Sequence, residues 1–296
     1  MSNRRILITG GTGQVGTELL RYPWPEDIQL VAPNRHELDL TDCDSIDQYI
    51  STGDFSAVIN SGAYTAVDRA ESDVVTAWKV NALAPAAIAA ASKRIGIPLV
   101  HLSTDYVFDG VKNGPYFEGD SVAPLGVYGA SKEAGEQAVR TGNPRHVILR
   151  TAWVFSAHGT NFVKTMLRLG AQGGLIRVVD DQIGSPTAAS DIAMAVATIT
   201  NLLIERSHAP TGTYGFVNSG QTTWFGFAQE IFRQRKDAGF LVPSLEPIAT
   251  SQYPSPARRP ANSRLSTEKV RRDFALEPRN WVDALKPVVE SISSGE

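Results

Sequence analysis

Short apolar runs alternate along the chain with longer stretches whose apolar positions recur every three or four residues. Runs at residues 5–9, 29–32, 57–60, 98–102 and 147–150 have strand length and little alternation, the pattern of strands buried on both faces of a parallel sheet. Between them the helical spacing predicts helices over 14–21, 45–52, 74–95 and 128–141, the last three ending at or near glycine. Repeated strand, helix, strand units require right-handed crossovers and helices on both sheet faces, so the class is α/β with a parallel sheet.

Past Arg150 the rhythm loosens. Helices are predicted at 161–169, 189–204, 223–238 and 281–291, with short strands between them. Residues 242–260 carry Pro243, Pro247, Pro254, Pro256 and Pro260, and an ordered but irregular loop is expected there.

Composition mainly removes classes. With 296 residues, 42% of them hydrophobic and 20% charged, the chain is that of a folded protein with one large or two smaller lobes. A net charge of −3 without a Lys/Arg run argues against a nucleic-acid partner. Cys43 is the only cysteine, so no internal disulfide forms, which fits a reducing compartment. The stretch Met1 to Thr9 lacks the pattern of a signal peptide, and no stretch reads as a membrane span. A cytoplasmic protein with no membrane partner is expected.

Candidate chemistry starts at Gly10, Gly13 and Gly16, spaced G-x-x-G-x-x-G directly after the first strand and opening the first helix. Glycine lets the chain turn tightly and bring backbone N–H groups against a pyrophosphate at the helix N-terminus. About 20 residues on, where an acid for an NAD ribose is expected, stand Asn34 and Arg35. A guanidinium there suits a 2′-phosphate, favouring NADPH with NADH possible; a solvated Arg35 is the alternative. Tyr128 and Lys132, four residues apart at the start of a helix, share one face. An ammonium beside a phenol favours the phenolate and eases proton exchange. The same spacing also occurs on ordinary surface helices. What adds weight is Ser103-Thr104-Asp105 at the end of the 98–102 strand, where open α/β sheets bind ligands. There Thr104 is placed to hydrogen-bond a carbonyl under reduction. His101 reads as packing.

The turn Thr9-Gly10-Gly11-Thr12-Gly13-Gln14-Val15-Gly16 resembles the fingerprint of the extended short-chain dehydrogenase/reductases. Asp39-Leu40 and Ala63-Tyr64-Thr65 fall where that superfamily lines the adenine and the nicotinamide-side ribose. Ser103-Thr104-Asp105-Tyr106-Val107-Phe108-Asp109-Gly110, Pro124 to Gly129, Asn161 to Leu169 and Pro256 to Pro260 are similar to strings of the dTDP-4-dehydrorhamnose reductases.

That resemblance implies a Rossmann-like doubly wound parallel sheet with a smaller C-terminal α/β substrate-binding lobe. Residues 1–152, rejoined by about 187–218, would bind the dinucleotide; 153–186 and 219–296 would bind the sugar nucleotide. The implied activity is NADPH-dependent reduction of the 4-keto group of dTDP-4-dehydro-6-deoxy-L-mannose to dTDP-L-rhamnose, for cell-surface polysaccharide. Tyr128 is then the proton donor, Lys132 its electrostatic partner and Thr104 the carbonyl contact, with Thr104, Asp105 and Trp153 facing the sugar. Trp153 alternatively belongs to the core, and Arg258 and Arg259 either meet the substrate diphosphate or are solvated. Rival readings are a sugar-nucleotide epimerase and a non-catalytic subunit resembling the regulatory subunit of methionine adenosyltransferase. Part of the family dimerises around Mg²⁺ held by glutamates, but here Gly184-Ser185-Pro186-Thr187 leads to Ser190 with Asp191 beside it. The C-terminal end has serines from Ser291 to Ser294, with carboxylates at Glu290 and Glu296. No Mg²⁺ is expected, and the chain is expected to be a monomer or a metal-independent homodimer.

Overall fold

The computed structural model describes residues 4–293 and contains a six-stranded parallel sheet. Its strands are β1 (Arg4–Thr9), β2 (Ile28–Val31), β3 (Ala57–Asn60), β4 (Leu99–Thr104), β5 (His146–Thr151) and β6 (Gly212–Gly215). The first five coincide with the apolar runs to within two residues. Their order is β6-β5-β4-β3-β1-β2. The chain goes from β1 to β2 on one side and returns to β3 on the other, so the topological switch point lies between β1 and β3. Open α/β sheets bind ligands beyond the carboxyl ends of strands at such a point.

Alternation along each strand divides the core in two. Ile6, Ile8, Val147 and Leu149 meet Leu19 of helix Gln14–Arg21 and Ile192, Val196 and Ile199 of helix Ala189–Glu205. On the opposite face Leu7, Val58, Leu99 and Ile148 meet helices Cys43–Thr52, Ala84–Arg94 and Val127–Gly142 through Ile46, Ile50, Ile88 and Val139. A separate apolar cluster joins helices Phe162–Ala171, Trp224–Asp237 and Trp281–Ser293 through Met166, Phe227, Ile231 and Leu285.

Four expectations are corrected. The helix predicted over 74–95 is interrupted by a π-helical turn, Lys79–Leu83, between Val74–Trp78 and Ala84–Arg94. Pro85, without an N–H, stands at the start of the second α segment, where the widened turn accommodates it. The whole run Val74–Arg94, 21 residues, does reach membrane-spanning length and apolarity. Pro85, Ile88, Ala89 and Ser92 are nevertheless buried within the fold. Helices Val67–Ala70 and Glu268–Phe274 were not expected, being too short to establish a period. Finally, Ser244–Ile248 is a strand paired in parallel with Leu175–Val179, despite Pro247. Ser244 donates to the Gly174 carbonyl and Ile248 accepts from Asp180 N–H, so the bonding positions are the even-numbered ones and Pro247 loses no ladder bond.

Candidate active site

Tyr128 stands in the first turn of helix Val127–Gly142, which packs directly on the end of β4. The close approach depends on Gly129: a β-carbon there would lie 2.2 Å from the Tyr106 carbonyl oxygen. The Tyr128 and Tyr106 rings meet edge to face at 5.3 Å. One turn on, Lys132 is 2% exposed, and its Nζ donates to the Leu102 carbonyl at 2.6 Å. The buried Thr104 hydroxyl donates to Asp105 Oδ1 at 3.0 Å and accepts the Tyr106 N–H at 3.2 Å. Thr104, Tyr128 and Lys132 therefore occupy one corner of the molecule.

Their electrostatics differ from the sequence expectation. Burial pushes the Tyr128 hydroxyl up to about 12, opposed by hydrogen bonding to Thr104 and reinforced by Asp105; Lys132 is not among the causes. Desolvation likewise brings the Lys132 ammonium down to about 8, against the charge of Glu136. With burial the leading cause, Tyr128 is held protonated, the form a proton donor requires. Burial also raises the Asp105 carboxyl to about 6, opposed by hydrogen bonds from Ser263 and Thr104.

A cleft of about 800 Å³ opens along the carboxyl ends of β1, β3 and β4. Its walls include Gly10, Gly11, Thr12, Gly13, Gln14, Val15, Asn34, Arg35, Asp39, Leu40, Ala63, Tyr64, Thr65, Tyr128 and Lys132. Gly16 lies behind that wall, where a β-carbon would come 2.1 Å from the Gly10 oxygen, so the turn closes only around glycine. Gly13 caps helix Gln14–Arg21 without a side-chain hydrogen bond, leaving the first amides of the helix to a bound anion. This cradle and cleft fit a dinucleotide.

Several side chains are already committed. Asn34 Oδ1 accepts the N–H groups of His36 and Glu37, and Asp39 Oδ1 accepts that of Thr41. Asp39 is thus part of a turn on the cleft wall, while the cap of helix Cys43–Thr52 is Asp42. Arg35 is exposed on the rim. Gln14 Oε1 accepts from Ser156 Oγ at 2.9 Å and Asn161 Nδ2 at 2.8 Å, drawing the 156–161 segment over the cleft. His101 is buried and also bonded, its Nδ1 3.0 Å from Asn60 Nδ2.

Thr104, Asp105, Trp153, Arg258 and Arg259 do not line this cleft. Trp153 adopts φ +50°, strained for a tryptophan, and stacks on Trp224 with ring centroids 3.6 Å apart. The arginine pair diverges: Arg258 is exposed, whereas Arg259 Nη2 binds Asp68 Oδ2 at 2.8 Å. Asp105 Oδ2 and Arg259 Nη1 are buried without a hydrogen-bond partner, one acceptor and one donor.

Sequence reasoning missed several residues. Asn81, in the π-helical turn, accepts the Tyr64 N–H and donates to Ser131 Oγ, anchoring the 61–65 segment to helix Val127–Gly142. An asparagine inside an apolar helix was the available signal. Thr151 faces the cleft with a buried, unpartnered hydroxyl. Glu136 and Arg150 form a buried pair behind Lys132; an arginine inside an apolar strand, needing a carboxylate, would have pointed to it.

Comparison with known proteins adds to this geometry. The family described as the RmlD substrate binding domain matches residues 4–294. This chain belongs to the dTDP-4-dehydrorhamnose reductase family. The chain is 42% identical over 297 residues to the family's member from Burkholderia thailandensis, with 98% of this chain and 99% of the relative covered. A solved dTDP-4-dehydrorhamnose reductase from Clostridium acetobutylicum superposes with TM-score 0.91 at 34% identity, covering 98% of this chain and 99% of that one. The Bacillus anthracis enzyme of the same name, solved in complex with NADP, gives TM-score 0.90 at 35% identity over 98% and 99%. The likeness thus extends over nearly the whole chain.

Proposed function

We propose that this protein reduces the 4-keto group of dTDP-4-dehydro-6-deoxy-L-mannose with NADPH in the cytoplasm, giving dTDP-L-rhamnose for cell-surface polysaccharide. The observation that carries the reading is the meeting of Thr104, Tyr128 and Lys132 beside a dinucleotide-sized cleft, in a chain that matches this family over residues 4–294. The glycine turn and the first amides of helix Gln14–Arg21 hold the pyrophosphate, Arg35 meets the 2′-phosphate, and Ala63, Tyr64 and Thr65 line the nicotinamide-side ribose. When bound, the nicotinamide supplies the hydride to the carbonyl carbon. Tyr128 gives its hydroxyl proton to the carbonyl oxygen, Thr104 donates a hydrogen bond to that oxygen, and Lys132 offsets the charge left on Tyr128. Asp105 and Arg259 present their unpartnered atoms to the sugar nucleotide, with Trp153 at the edge of that pocket.

The labour divides between residues 1–152 with 187–218 for the dinucleotide and 153–186 with 219–296 for the sugar nucleotide. No metal takes part. Asp191, beside Ser190, is turned inward, its Oδ2 receiving Asn218 Nδ2 at 2.6 Å and Arg279 Nε at 2.8 Å. Ser294 and Glu296 lie outside the described residues.

The test is the loss of NADPH absorbance with dTDP-4-dehydrorhamnose as substrate. NADPH is expected to be oxidised one for one with ketosugar, faster than NADH, and Arg35→Ala is expected to narrow that preference. Tyr128→Phe should lower turnover by about 100-fold or more with cofactor binding intact. Turnover without net cofactor oxidation would make the protein an epimerase; no turnover with any ketosugar would favour a regulatory subunit.

A further inference from the structure

Helix Val127–Gly142 grips the end of β4 at more points than the proton-transfer residues require. Tyr128, Lys132 and Glu136 follow one another at four-residue steps on one face of the helix. Between them they engage three adjacent strand residues: Tyr128 lies against the Thr104 hydroxyl, Lys132 Nζ binds the Leu102 carbonyl, and Glu136 Oε1 accepts Ser103 Oγ at 2.6 Å. Glu136 is fully buried, and its carboxylate is saturated. Arg150 of β5 meets it as a fork, Nε to Oε1 at 2.9 Å and Nη2 to Oε2 at 2.7 Å, and Arg140 Nη1 reaches Oε2 at 2.8 Å. Arg150 is itself held over the Phe108 ring at 4.9 Å.

Such a pair is costly. Two charges out of water are frequently no more stabilising than apolar residues of the same size, so stability is a weak reason for its presence. What it supplies here is position. Ser103 is covalently next to both Leu102 and Thr104, and Ser103 and Thr104 are the Cα partners of Arg150 and Thr151 across the sheet. Fixing Ser103 to a carboxylate that Arg150 anchors sets the height of the helix against β4, and with it the separation of the Thr104 and Tyr128 hydroxyls.

We propose that Glu136, anchored by Arg150 and clasped by Ser103, is the positioning residue of this site, setting the register of Tyr128 and Lys132 against Thr104. It acts through these residues and does not touch substrate. The proposal rests on the reading of Tyr128 and Lys132 as the proton-handling pair. Glu136 is also the carboxylate whose charge acts on Lys132, and the Lys132 ammonium in turn acts on the buried His101 of β4.

Two variants test it in the NADPH assay. Ser103→Ala removes the clasp and leaves the ion pair whole. It is expected to lower kcat about tenfold, with the KM for NADPH and the melting temperature near those of the parent. Glu136→Gln is expected to lower kcat further and to move the alkaline limb of kcat/KM to lower pH, because Lys132 loses the charge of that carboxylate; Glu136→Gln with Arg150→Met removes the stranded cation should the single variant not fold. Unchanged kcat in Ser103→Ala would overturn the proposal. So would a fall in kcat that only follows melting temperature and NADPH KM, with the pH limb unmoved. A Tyr128→Phe variant that keeps its turnover would instead overturn the underlying site reading, whatever Ser103→Ala does.

Discussion

At Lys132 and Asp105 one physical cause, the loss of water, acts on opposite charges and moves both groups toward neutrality. Desolvation lowers the ammonium to about 8, and burial raises the carboxyl to about 6. Tyr128, pushed up to about 12, stays protonated between them. If Asp105 must be ionised to accept a sugar hydroxyl and Lys132 must be charged to stabilise the phenolate, kcat/KM for ketosugar reduction rises as pH passes about 6 and falls above about 8. Asp105→Asn is expected to remove the acid limb and leave the alkaline one. The measurement is kcat/KM with saturating NADPH from about pH 5 to about pH 10. A flat profile would take both groups out of the proposed roles.

At the scale of elements, the site depends on how closely helix Val127–Gly142 lies on β4. A β-carbon added at Gly129 would lie 2.2 Å from the Tyr106 carbonyl oxygen, so a methyl group there cannot be absorbed without moving the helix. Overpacking of this kind costs about 1–3 kcal/mol, and displacement of a reacting group by about an ångström can cost 100-fold in rate. Gly129→Ala is therefore expected to lower the melting temperature moderately and turnover severely, by about 100-fold. A thermal melt and a turnover measurement check it. Normal turnover in a variant with a lowered melting temperature would show that the packing matters to the fold and not to the chemistry.

At the scale of the molecule, the question is whether assembly needs metal. Where the family resemblance implies a Mg²⁺-binding glutamate in part of the family, this sequence carries Ser190, and a serine hydroxyl is a weak ligand for an ion that is costly to dehydrate. Asp191 is bonded to Asn218 and Arg279 and is not free to replace it. Sedimentation and turnover are expected to be the same in EDTA and in excess Mg²⁺. A dimer that dissociates on chelation and reforms with the metal would refute this.

The sheet was legible because β1 to β5 each carry a mainly apolar run, and a parallel sheet covered on both sides asks for little more. The glycine turn and the Tyr128/Lys132 pair were legible because backbone closeness and four-residue spacing are local properties. β6 was not: Gly212-Thr213-Tyr214-Gly215 has weak strand character and becomes a strand because β5 offers a free edge and Tyr214 is buried. The strand through Pro247 depends in the same way on which side of the ladder its missing N–H falls. Charge states were settled by tertiary structure alone. Four-residue spacing placed Lys132 beside Tyr128, but burial and the Leu102 carbonyl decided what the ammonium does there. Glu136 and Arg150, 14 residues apart in sequence, met only once the helix had folded back on the sheet. Local sequence fixes periodicity and turn geometry, whereas desolvation and long-range pairing depend on what the rest of the chain brings alongside.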